Sequence, residues 1–172
     1  MTKYQEDEVG WAMEQIAFMR RGAVNSLDLE NIAEELEDMM SLKRDAVASQ
    51  VKRLLLHLLK WKYQPEKRTV SWKVSINNSR EDILDKTTGE SGSRVLYNEL
   101  PKNIEKEYPR AARQAALETE LPRTTFPDRC EWVLEQLLDE DFYPRSLEEE
   151  CDNPPSIKDA LAAFEKNKGE KS

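Results

Sequence analysis

The stretch Arg44-Asp45-Ala46-Val47-Ala48-Ser49-Gln50-Val51-Lys52-Arg53-Leu54-Leu55-Leu56-His57-Leu58-Leu59-Lys60-Trp61-Lys62-Tyr63 decides the fold class. Val47, Val51, Leu54, Leu55, Leu58 and Leu59 recur at i, i+4, i+7, i+8, i+11 and i+12, and Leu56 widens the stripe. Only an α-helix puts that spacing on one face, and a face so apolar must be buried. The stretch is therefore expected to be a central core helix, ended by Pro65, which removes a donor and restricts the residue before it.

Working outward, helical spacing continues on both sides. A first helix is expected from about Glu6 to Arg21, with Val9, Ala12, Met13, Ile16 and Arg20 along one side and Gly22 as its stop. Trp11 and Phe18 lie seven apart on the opposite side, so this helix is apolar on two faces. It either packs between neighbours or shows one face to a partner. Asp28 is placed to cap a second helix, whose stripe Leu29, Ile32, Ala33, Leu36, Met39 and Met40 runs to at least Met40. That helix either breaks near Ser41 or continues into the central one.

After a loop from Gln64 to Val70, a fourth helix is expected from about Ser71 to Lys86, burying Trp72, Ile76, Ile83 and Leu84. Thr87 to Ser93 contains Gly89 and Gly92 and reads as a loop. The helical stretch from Ser93 to Glu120 should be broken into shorter pieces by Pro101 and Pro109, each at a first-turn position. A last core helix is expected from about Asp128 to Leu138, burying Trp132, Val133, Leu137 and Leu138. The architecture is thus an all-α bundle of five to seven helices around Arg44 to Tyr63. One domain is expected over residues 1–144. A charged tail follows over 145–172, with one short helix starting near Ser156 and Asp159 and reaching Phe164.

The 172 residues suffice for a proper core, and 38% hydrophobic with 35% charged residues is a globular balance. The net charge of −8 disfavours indiscriminate binding to nucleic acid or anionic membrane. The amino terminus has no apolar core of a signal peptide, and no apolar run approaches a membrane span. With Cys130 and Cys151 too sparse for a disulfide framework or a metal spacing, two reduced thiols and a cytoplasmic location are expected.

Charge is organised in blocks. Asp28 to Met40 carries six acids and no base; Lys43 to Lys73 carries nine bases and two acids; Cys130 to Asp152 carries nine acids and one base. The simplest arrangement pairs acidic with basic segments. In the first block Glu30, Glu34, Glu37 and Asp38 share one flank, where like charges at helical spacing repel and call for cations. These are expected to be bases of the second block or Arg20 or Arg21, through at least one salt bridge. The alternative is a divalent metal, Mg or Mn, held between this ridge and Glu135 and Asp139 of the third block, which step by four from Glu131. With His57, Glu34 and Asp38 as the candidates for catalysis, that alternative describes a metal-dependent hydrolase of nucleotides or phosphate esters. His57 is the only histidine and projects with Arg53, Lys60 and Gln64. Nucleophile elbow, phosphate loop, dinucleotide glycine motif and cysteine pair are all missing from the sequence.

Lys60-Trp61-Lys62-Tyr63-Gln64-Pro65-Glu66-Lys67-Arg68, with Ser71-Trp72, interleaves aromatic rings and bases. Such a stretch can bind nucleic acid, through Arg53, Lys60, Lys62, Lys67 and Arg68. It equally describes a corner where Trp61 and Trp72 pack and the bases reach outward, and the overall acidity favours the corner. Surplus aromatic and charged surface points to a protein partner or self-association, with Trp11, Phe18, Lys60, Trp61, Arg68 and Trp72 as candidate contacts. No cofactor is expected for such an interaction module.

Four segments in order carry a resemblance: Leu27 to Asp38, Leu56 to Glu66 with Ser71-Trp72, Ala116 to Thr119 leading into Thr124-Thr125-Phe126-Pro127, and Trp132 to Pro144. Together they resemble the bacterial family called domain of unknown function 29, over roughly Tyr4 to Pro144. The resemblance implies an all-helical, mainly bacterial protein and carries no catalytic residues with it. The middle, Thr87 to Tyr108, departs most from the family pattern.

Overall fold

The computed structural model describes residues 4–152. Among the described residues six α-helices follow in order: α1 Glu8–Arg20, α2 Leu29–Tyr63, α3 Val70–Thr87, α4 Arg94–Thr119, α5 Leu134–Leu138 and α6 Leu147–Asp152. Short 3-10 turns lie at Val24–Ser26, Pro65–Lys67 and Arg123–Thr125, and no strand occurs among the described residues. The expected helix from Ser156 to Phe164 lies outside the described residues. The chain divides into two compact units, residues 1–45 and 46–172, so the division falls inside α2.

In the first unit Asp7 caps α1, accepting from the Gly10 amide at 2.9 Å, and Gly22 (φ +70°) turns the chain out of it. Asp28 caps α2, accepting from the Asn31 amide at 3.3 Å. The helix then continues without a break to Tyr63, because nothing from Ser41 to Lys43 is a helix breaker.

The second unit is a bundle around the carboxyl-terminal half of α2. Val47, Val51, Leu54, Leu55, Leu56, Leu58 and Leu59 are all buried, as their spacing predicts. They meet Ile76 and Ile83 of α3, and Leu100, Ile104, Tyr108 and Ala111 of α4, in one cluster with Phe126 and Leu137. α3 packs on both α4 and α5.

Two expectations are corrected here. α4 is one helix with Pro101 and Pro109 in its interior, not a series of pieces. Each proline removes a backbone bond at a cost of about 3 kcal/mol. Pro101 is exposed and Pro109 half-buried, eight residues apart, so both lie away from the buried stripe. That stripe, from Leu96 to Ala115, binds the helix to the core across both defects. The last core helix is also shorter than expected. Residues 128–133 are irregular, and only Leu134–Leu138 is helical. The Arg123 guanidinium donates to the Phe126 carbonyl at 2.8 Å, and Lys62 draws Glu131 aside. Val133, expected in the core, is exposed.

Candidate functional site

In the first unit α1 turns Trp11 and Gln15 inward. Trp11 Nε1 donates to Asp28 Oδ2 at 3.2 Å, and Gln15 Oε1 accepts from the Asp28 amide at 2.9 Å. The Tyr4 hydroxyl donates to the Glu35 carboxylate and its ring meets Trp11 edge-on at 4.8 Å. The hydrogen bond to Glu35 raises the Tyr4 hydroxyl pKa to about 12. These contacts join Tyr4 and α1 to Asp28 and Glu35, leaving the apolar stripe of α2 beside them unused. Leu29, Leu36, Met39 and Met40 are 64%, 53%, 46% and 44% exposed. That stripe is therefore a surface. On α1 the two apolar faces are also assigned: Trp11 is buried and Phe18 half-buried beneath Arg21, while Val9, Met13 and Ile16 are exposed. Trp11 is thus not an exposed partner contact.

The acidic ridge lies on the flank of that surface. Among the described residues none of Glu30, Glu34, Glu37 and Asp38 forms an ion pair, which corrects the expected salt bridge. The expectation assumed two antiparallel helices. In one continuous helix a side chain reaches only the residues three or four along, and Lys43 lies five beyond Asp38.

The basic stretch of the second unit forms the packed corner. Trp61 stacks against Tyr143 at 5.0 Å between ring centres, and Arg68 lies over Trp61 at 5.1 Å. Lys60 Nζ sits 4.6 Å over the half-buried Trp72 ring and 2.6 Å from Glu118. The third charge block supplies the other carboxylates. Lys62 Nζ is 3.0 Å from Glu150 and 3.4 Å from Glu131, while Arg68 grips Glu149 with both nitrogens at 2.9 and 3.0 Å. An open cleft of about 600 Å³ remains beside them, lined by Trp61, Arg68, Lys73, Tyr143 and Arg145. Gln64, expected to project outward with His57, is buried and donates to the Thr119 carbonyl at 2.9 Å.

The family model "Domain of unknown function DUF29" matches residues 3–143. The chain belongs to the DUF29 family. No curated protein matches it, and no solved structure does. Within the DUF29 match lie the surface of α2 and the aromatic corner, whereas Glu149 and Glu150 lie beyond its end. Lys62 and Arg68 of the DUF29 domain thus each pair with a carboxylate from outside it, whereas Lys60 pairs with Glu118 inside it.

Glu149 gives a pH prediction. The hydrogen bond from Arg68, with the Ser146 amide at 2.6 Å, holds its carboxyl at about 2, below the ordinary 4.5. A depressed folded-state value stabilises above the unfolded pKa and loses that contribution as pH falls toward the folded one. Glu149→Gln is therefore expected to melt below the wild type at pH 6. The gap should close between about pH 4.5 and pH 2; an equal gap throughout would contradict the pairing.

His57 Nδ1 is 2.9 Å from the Arg53 carbonyl, which only accepts, so Nδ1 carries the proton in that bond. Burial, then the charges of Lys60 and Arg53, lower its pKa, which keeps the ring neutral at neutral pH. Glu131 and Val133 lie outside α5, so the helical stepping from Glu131 to Glu135 and Asp139 is lost. Among the described residues, no three His, Cys, Asp or Glu side chains gather as a metal-holding group. No described helix is long and apolar enough to cross a membrane.

Both cysteines are free. Burial pushes the Cys130 thiol up to about 11, whereas Cys151 is exposed. A thiol reagent at pH 8 is expected to modify Cys151 at least tenfold faster than Cys130, since the thiolate is the reacting form (roughly a tenfold margin per unit of pKa). Equal rates by peptide mass analysis would contradict this placement.

The residue that sequence reasoning missed is Arg80. It is buried on α3 and donates from Nε to the Leu137 carbonyl at 2.9 Å, from Nη1 to Glu140 at 3.2 Å, and from Nη2 to Phe142. Its guanidinium also lies 5.3 Å from the Tyr143 ring centre. The available signal was its place between Ile76 and Ile83 on the buried side of α3.

Proposed function

We propose that this DUF29 protein is an interaction module, antitoxin- or adaptor-like, that works through a protein partner in a bacterial cytoplasm and performs no catalysis itself. The observation carrying this reading is the exposed apolar surface of the first unit. Val9, Met13 and Ile16 on α1, and Leu29, Leu36, Met39 and Met40 on α2, stand open to solvent within some forty residues. Isolated exposed apolar side chains are ordinary; two stripes at helical spacing in so short a segment mark a contact surface. The described part of the second unit buries the long apolar stripe of α2 in its core, and its exposed apolar side chains, Val95 and Leu117 of α4 among them, are scattered over several elements.

The test is crosslinking in the producing cells followed by low-salt affinity purification of the full chain. A stoichiometric protein partner is expected, lost when Met13 and Leu36 are both replaced by Asp. Recovery of the chain alone across several growth conditions would sink the reading.

A further inference from the structure

We infer that the exposed stripe of α2 receives a cationic amphipathic helix of another protein. The inference rests on the interaction reading above and names the occupant of one of its two stripes. Leu29, Leu36, Met39 and Met40 fall at i, i+7, i+10 and i+11, with half-buried Ile32 between them. The stripe is about three turns long, roughly 16 Å at 1.5 Å per residue. That length suits a partner helix anchoring through side chains at i, i+3, i+4 and i+7. Two of the four residues are methionines, whose unbranched chains reshape around an incoming side chain.

The flank determines the partner's charge. Glu30, Glu34, Glu37 and Asp38 run alongside the stripe and form no ion pair among the described residues. Their mutual repulsion at helical spacing is relieved by any cation brought beside them. Residues 4–45 hold eleven acids and four bases, so the whole unit attracts a cationic partner at long range. A second copy of the chain would bring an equally acidic unit onto the ridge. An anionic lipid surface would be repelled for the same reason. A helix with apolar anchors and Lys or Arg beside them satisfies both the stripe and the ridge.

The probe is a labelled 18-residue peptide of Leu and Lys patterned as an amphipathic helix, titrated into the full chain at physiological salt. A shuffled peptide of the same composition is the control. Micromolar binding of the patterned peptide is expected, at least tenfold tighter than the shuffled one. Leu36→Lys with Met40→Lys should weaken it at least tenfold. Val95→Lys with Leu117→Lys, which makes the same charge change on exposed positions of α4, should leave it unchanged. Glu30→Gln, Glu34→Gln and Glu37→Gln together, all at exposed positions that leave the apolar packing intact, should also weaken binding and flatten its salt dependence. Equal loss in the α2 and α4 lysine pairs would reduce the binding to general charge and overturn the inference. So would a wild-type dimer, by sedimentation, that Leu36→Lys with Met40→Lys dissolves, since the face would then belong to a second copy. A partner captured in cells that ignores these α2 variants would leave the interaction module standing and remove this inference alone. Failure to capture any partner in cells would sink the interaction reading and this inference with it.

Discussion

Alanine in place of Arg80 is expected to cost about 3–5 kcal/mol of stability, because hydrogen bonds to a charged donor contribute about 1.5–3 kcal/mol each and three are lost together, not additively. The melting temperature should fall by roughly 6–20 °C for a domain of this size. The affected backbone is known: the carbonyls of Leu137, Glu140 and Phe142 lose their donor at once. Amide exchange should therefore accelerate first between α5 and Tyr143. Lysine should recover little, since a single ammonium cannot reproduce the planar fork that reaches three carbonyls. Wild-type melting in Arg80→Lys would show that charge alone suffices and that the fork geometry is incidental.

The second large effect has the opposite sign. Pro101→Ala restores a backbone donor inside α4 at an exposed position, so it is expected to stabilise the chain by about 2 kcal/mol. Part of the full helix penalty is offset because proline also restricts the unfolded chain. The corresponding rise in melting temperature is roughly 4–8 °C. Urea unfolding should show a higher midpoint at an unchanged slope. A lower midpoint would mean that the proline ring makes contacts worth more than the missing bond.

These two residues also mark the limits of what the sequence could tell. The stripe from Val47 to Leu59 could be read because its apolar period and its burial express the same fact. Asp28 could be read as a cap because a carboxylate before an apolar period has one common local use. The prolines of α4 misled because local propensity speaks for single bonds, whereas the stripe from Leu96 to Ala115 acts through the whole helix. Leu36 and Met40 mark a different limit: periodicity reveals that a helix has an apolar face, but not whether this chain supplies the cover. Arg80 was hidden because its partners are main-chain carbonyls, which every residue carries and which leave no mark on the sequence. The acidic ridge was legible as a ridge. Its pairing was not, because that depended on whether α2 turned back near Ser41 or ran on.

The carbonyls that Arg80 serves follow it by 57, 60 and 62 residues. During synthesis α3 is complete long before they exist. At about 5–20 residues per second, a growing chain carries the side chain without its acceptors for roughly 3–12 s. Throughout that interval the inner side of α3 has a hydrated cation between Ile76 and Ile83, and collapse onto α2 and α4 would have to bury its charge with nothing in exchange. The arginine thus delays closure until the segment through Phe142 has left the ribosome. A nascent chain halted before that point should stay open to proteases at α3, and one released just after it should become resistant in a single step.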